Sequence, residues 1–240
     1  MTAVDTTCEE IVNELRSLGS ESIKRIFLRH GAPEPIFGVK IEYLQKIRRR
    51  IGVDYKLALE LYDTGISDAM YLAGLIADDA KMSKKDLQKW ANGASWHMVS
   101  EYTVPWVASG SKHGRALALK WIDSKKERLA EAGWATLSAI AATTPDEDLN
   151  IPEYKKLLER VVKTIHDRPN YVKYVMNNFV IAVGSYIAEL TTTAEKAAKA
   201  IGKVHVDMGD TSCNVPNAYD YIQKVKGTSR IGVKRKTAKC

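Results

Sequence analysis

One carboxylate, Glu101, lies within five positions of four ring side chains, Trp96, His97, Tyr102 and Trp106, in the stretch GASWHMVSEYTVPW (93–106). A carboxylate so placed can stabilise the positive charge that develops on a sugar as a glycosidic bond breaks. Flat aromatic faces can hold a cationic base by cation–π attraction. On an α-helix His97 and Glu101, four residues apart, share one face. The same spacing also describes an ordinary packed helix, with Trp96, Met98 and Tyr102 inside and His97 and Glu101 as a surface pair. Residue types alone leave both readings open.

A second group occupies IHDRPNYVKYVMNN (165–178), where Arg168, Asn170, Tyr171 and Lys173 straddle the start of a helix. Basic, amide and aromatic groups beside unpaired helix-terminal amides suit phosphate and sugar contacts; alternatively Asn170 is simply an N-cap after Pro169. The last twenty positions hold seven of the 36 Lys and Arg residues, among them Lys234, Arg235 and Lys236, and no Asp or Glu. The first 220 residues therefore balance 29 basic against 29 acidic groups, and the net +7 is the tail's. Such a tail suits phosphate backbones, each neutralised phosphate releasing counterions, or else is a solvated, disordered end.

Other chemistries find no support. His205, Asp207, Asp210 and Cys213 match no metal or nucleophile signature, and a hydrogen-bonded loop with Asp210 capping its own backbone is the expectation there. Gly-rich phosphate loops, GxSxG and HExxH are absent. No metal and no other cofactor is expected. Cys8, Cys213 and Cys240 form no CxxC pair and are expected to be reduced. No apolar run approaches the roughly 18–20 residues that span a bilayer, and the N-terminus is acidic where a signal peptide is basic, so no membrane partner and a cytoplasmic location are expected.

The elements that must position these residues read as helices almost throughout. Apolar residues recur at three- and four-residue steps, as Ile11, Leu15 and Leu18 do, and Gly or Pro punctuates each run. About twelve short helices with short links predict an all-α chain of stacked hairpins, an α-solenoid, with a globular bundle as the alternative. Pro105 is expected to kink the helix begun at Ser95, just before Trp106. Residues 1–203 form the helical repeat domain; 204–240, rich in turn formers and then basic, are an extension packed upon it.

The motifs FGVKIEYLQKIRR, EYTVPWVASGSKHGRALALKWIDSKKERLAEAGWATLS, KTIHDRPNYVKYVMNNFVIAVGSYI and VHVDMGDTSCNVPNAYDYIQKV through KRKTAKC resemble, in that order, the DNA alkylation repair family of HEAT-like repeat proteins, the AlkD-like group. The resemblance covers nearly the whole chain. It implies a solenoid whose concave, basic face holds duplex DNA, alkylated or distorted, and in active members excision of N3- or N7-alkylated purines without cofactor. Active members carry a Trp and, four positions on, an Asp; in register these are His97 and Glu101, with Trp96 one position off. A functional Arg falls near Leu137, and a second Trp near Ser185, beside Tyr186. The resemblance thus implies Glu101, His97, Trp96 and Tyr186 as catalytic candidates. It equally admits a module that binds distorted or branched DNA without excising bases, and solenoids also serve as protein-binding scaffolds. A monomer is expected.

Overall fold

Helical period and capping side chains account for the order of elements. The computed structural model describes residues 6–209, 211 and 213–239, which form thirteen α-helices and no strand. Three helices open the chain: α1 (Cys8–Ser17), α2 (Glu21–Arg29) and α3 (Ile41–Ile51). Five hairpins come next: α4 (Tyr55–Asp63) with α5 (Ser67–Ile76), α6 (Lys84–Gly93) with α7 (Val104–Gly110), α8 (Gly114–Trp121) with α9 (Glu127–Thr143), α10 (Ile151–Thr164) with α11 (Asn170–Tyr186), and α12 (Thr191–Ile201) with α13 (Ala218–Gly227). Capping boxes at Thr7/Glu10 and Ser83/Asp86, and side-chain caps from Asp54, Asn150 and Asn217, satisfy helix-start amides that would otherwise lack partners.

The hairpins stack in register, so that α3, α5, α7, α9, α11 and α13 pack in sequence as an inner layer and α4, α6, α8, α10 and α12 lie outside. Sequence composition dictates which helix goes where. Every residue of α5 is buried, and α9 and α11 are buried along most of their length, as helices apolar on nearly all sides must be. The outer α10 keeps a strongly one-sided pattern and buries only Tyr154, Leu157, Leu158 and Val161. The core divides into two contiguous parts that meet at α8 and α9.

At Pro105 the structure departs from a simple kinked helix. A π-helical turn, Val99–Thr103, runs into α7, with the Val104 N–H donating to the Val99 carbonyl five residues back. Proline has no N–H to donate, and its ring crowds the carbonyl four residues earlier, here that of Glu101. Widening one turn relieves both, and it rotates the residues after it by about 100° relative to a regular α-helix. Gly74 of α5 accommodates the wide turn, because a Cβ there would sit 2.8 Å from the Thr103 methyl.

Candidate nucleic-acid interface

The π-helical turn separates the two residues whose α-helical spacing predicts a pair. No hydrogen bond or ion pair joins His97 to Glu101. The His97 ring stacks flat on Tyr171 (centroids 5.1 Å, 3° between planes), edge-on to Trp96 and 6.2 Å from His30. The Arg128 guanidinium lies over Tyr171 at 4.7 Å. Burial, with help from the Arg128 charge and His30, pushes the His97 pKa down to about 4, so the ring is neutral at physiological pH. Trp96 and Trp106 are core residues, packed on Phe27 and Tyr71 respectively.

Glu101 points the other way, into a cavity of about 680 Å³. Its Oε1 accepts from Asn178 Nδ2 at 3.3 Å. Burial, with the neighbouring Glu131 carboxylate, raises its pKa to about 8, an effect that hydrogen bonding only partly offsets. Glu131, fully buried on α9, is itself raised to about 7, mainly by burial, although Arg128 Nη1 donates to it at 2.8 Å. The Glu131 charge thus adds to burial in favouring the protonated form of Glu101, whereas Glu131 is raised mainly by its own burial.

The cavity is walled by α7, α9, α11 and α13 and closed on one side by residues 230–239. Gly184 lets α13 lie close on α11; a Cβ there would meet Ile222 at 2.5 Å. Beyond α13 the chain runs along the C-terminal ends of the inner helices. Gly232 N–H donates to Ser185 O at the end of α11, and Arg235 N–H to Ala142 O near the end of α9. Lys234 Nζ donates to Ala141 O (2.9 Å) and pairs with Asp146 (2.7 Å). Lys239 Nζ donates to Ala77 O, the C-cap of α5 (2.7 Å), and pairs with Asp79 (2.7 Å). The last carbonyls of these helices lack intrahelical partners and carry the negative end of the helix dipole, which is why lysines and backbone amides settle there.

Of the candidate residues, the structure brings Glu101, Tyr186 and Arg235 to the cavity and leaves Trp96 and His97 outside its lining. Arg168 and Lys173 are half-buried at the start of α11 with no ion pair among the described residues. Asn170 is not the N-cap; Pro169 is. Instead the Asn170 side chain makes two hydrogen bonds with the Asp207 backbone and fastens the segment after α12, while Glu127 Oε1 accepts from the Tyr171 amide. In the 204–216 loop Asp207 accepts from Gly209 N–H, and Thr211 bonds Met208 and Cys213; Asp210 lies outside the described residues. No metal-binding cluster and no membrane-spanning helix occurs among the described residues. Lys236 is exposed. Leu137 is core and Ser185 is buried at the cavity wall. The sequence pattern does not single out Glu131 or Arg128, and it places Asn178 with the phosphate and sugar candidates of 165–178 rather than beside Glu101. The available signal was an acid alone in the apolar run of α9.

A stack of antiparallel helix pairs with one continuous inner layer is a HEAT-like repeat architecture. A solved structure from "a new family of proteins related to the HEAT-like repeat DNA glycosylases with affinity for branched DNA structures" matches it with a TM-score of 0.89 at 36% identity, over 98% of this chain and 100% of that one. Residues 11–208 match the profile of the family described as DNA alkylation repair enzyme, and this chain belongs to that family. Uncharacterised proteins of Listeria innocua and Listeria monocytogenes are similar at 35% identity (92% of this chain, 97% of theirs) and 34% (93% and 99%).

Proposed function

We propose that this chain binds branched or distorted duplex DNA and does not excise bases. The observation that carries the reading is the setting of Glu101. The acid in the family's catalytic register lines the cavity beside the C-terminal segment, hydrogen-bonded to Asn178 and apart from the His97 ring, and burial favours its neutral form. A neutral carboxyl cannot offer a full negative charge to an oxocarbenium ion. The ring in the register of the family's tryptophan, His97, is stacked on Tyr171 and belongs to a different surface. The solved relative's affinity for branched DNA supports the choice of ligand.

Arg168 and Lys173 at one edge of the inner layer, with Arg235 and Lys236 at the other, are the phosphate contacts in this reading. The segment 204–239 acts as part of the same domain, since it is fastened at Asn170, Ser185, Ala142 and Ala77. The rival reading, an alkylpurine glycosylase, draws on the retained carboxylate at position 101. Methylated duplex DNA decides between them. The expected outcome is tight, salt-sensitive binding to three- and four-way junctions with no release of free methylpurine; release by the wild type that Glu101→Gln abolishes would establish the glycosylase instead.

A further inference from the structure

The cavity has the size and lining of a ligand site. Its volume of about 680 Å³ lies within the range of pockets that enclose small organic molecules. Its walls carry the half-buried rings of Tyr174 and Tyr186, backed by the core residue Trp106, and polar atoms at Asn178 and Ser138. Ser185, only 3% exposed, has a hydroxyl with no partner among the described residues, a buried polar group that a ligand could satisfy. Sequence reasoning treats the basic tail as one unit, but the structure divides it. Lys234 and Lys239 hold the segment to helix ends, whereas Lys224, Arg230 and Arg235 line the cavity, are exposed and have no acidic partner among the described residues. Aromatic walls, amide and hydroxyl groups within, and three unpaired cations at the border are the parts needed for a base, a sugar and a phosphate.

We infer that this cavity accepts a single unpaired nucleotide, with its base between the tyrosines and Asn178 and its phosphate on Arg230, Arg235 and Lys224. The same chemistry is offered by a nucleotide left unpaired where duplex arms meet and by a free mononucleotide. The first source rests on the DNA-binding reading above; the second does not. Base–aromatic stacking tolerates all four bases, so shape and pairing state rather than sequence would be selected. The neutral state of Glu101 fits this use, because it removes a charge that would repel phosphate and leaves a carboxyl able both to donate and to accept.

The test uses the full chain and 2-aminopurine as a stacking-sensitive fluorophore in three ligands: unpaired at the branch of a three-way junction, paired within an arm of the same junction, and free as the 5′-monophosphate. Quenching of the unpaired probe on binding, with little change in the paired one, is expected. Ala139→Phe, which fills the cavity from α9, should remove the quench and lower affinity for the junction with the unpaired nucleotide about tenfold, leaving the fully paired junction within about twofold. Should that variant fail to fold, Arg230→Ala with Arg235→Ala, both on exposed side chains, should reduce the preference for the unpaired over the paired junction by a similar factor. A junction bound without quenching, together with no response from the free nucleotide, overturns the inference and leaves the DNA-binding reading intact. Quenching that Ala139→Phe does not alter overturns it too. If no DNA is bound but the free nucleotide is quenched and Ala139→Phe abolishes the effect, the cavity assignment stands and the DNA reading falls.

Discussion

The two edges of the inner layer present the same backbone in opposite senses. At one edge the helices begin. There Glu127 caps α11, Asn170 grips the Asp207 backbone, and His97, Tyr171 and Arg128 form a closed stack. At the other edge the helices end, and one segment supplies lysines and amides to the termini of α11, α9 and α5. The first edge satisfies itself with side chains from adjacent helices, whereas the second imports its partners from the far end of the sequence. The same physical requirement, satisfying free amides or free carbonyls at helix ends, thus has a local solution on one side and a long-range solution on the other. Cations stand at both edges, but only at the second can the fold's fastenings and the cations be removed together.

Deleting residues 227–240 breaks the comparison most severely. It removes five basic residues, of which Lys234 and Lys239 are engaged by Asp146 and Asp79. If only Arg230, Arg235 and Lys236 meet phosphates, the slope of log affinity against log salt should fall by about 3; a fall near 5 would mean that the anchors leave their acids on binding, and an unchanged slope that none touches DNA. Next in size is Lys239→Met. Lys239 is largely enclosed, and its loss strands a carbonyl at the α5 terminus and the partly buried Asp79, at a cost of about 1–3 kcal/mol, or a Tm lower by roughly 2–10 °C. The more exposed Lys234–Asp146 pair should lose less in the matching Lys234→Met variant, and thermal melts of both rank the two anchors.

A further effect, read as a change with pH, concerns the acids between the two edges. Glu101 keeps its proton in the folded chain up to about pH 8, but releases it near its ordinary value of 4.5 when unfolded. Stability therefore declines as pH rises through that window, and Glu131 adds to the decline up to about 7. His97 has the opposite sign: its lowered pKa costs stability as pH falls from 6.5 toward 4. Glu101→Gln should gain on the wild type in Tm progressively as pH rises from 5 toward 8, and no further above that. An offset that does not change with pH would mean that Glu101 is ionised in the folded protein.

The helical stack was legible because apolar residues at three- and four-residue steps report a buried face regardless of what covers it. Glu101 was legible as an unusual acid, but its surroundings were not, since the π-helical turn at Val99–Thr103 changes which side chains share a face and only the Pro105 ring hinted at it. Trp96 and Trp106 look identical in sequence whether they face ligand or core. The tail misled in another way: seven cations in twenty residues read as one electrostatic object, while Lys234 and Lys239 face carbonyls far away in sequence, a pairing no local pattern encodes.

Lys239 bonds Ala77 across 162 residues of sequence. Repeat stacks in which each unit touches only its neighbours unfold progressively, with end units fraying at little cost to the middle. A segment that begins after the last helix and finishes on the fifth gives this stack a connection that skips units. Opening the C-terminal repeat together with this segment must then also break contacts on the middle of the molecule, which couples the two halves of the core more closely than neighbour contacts alone.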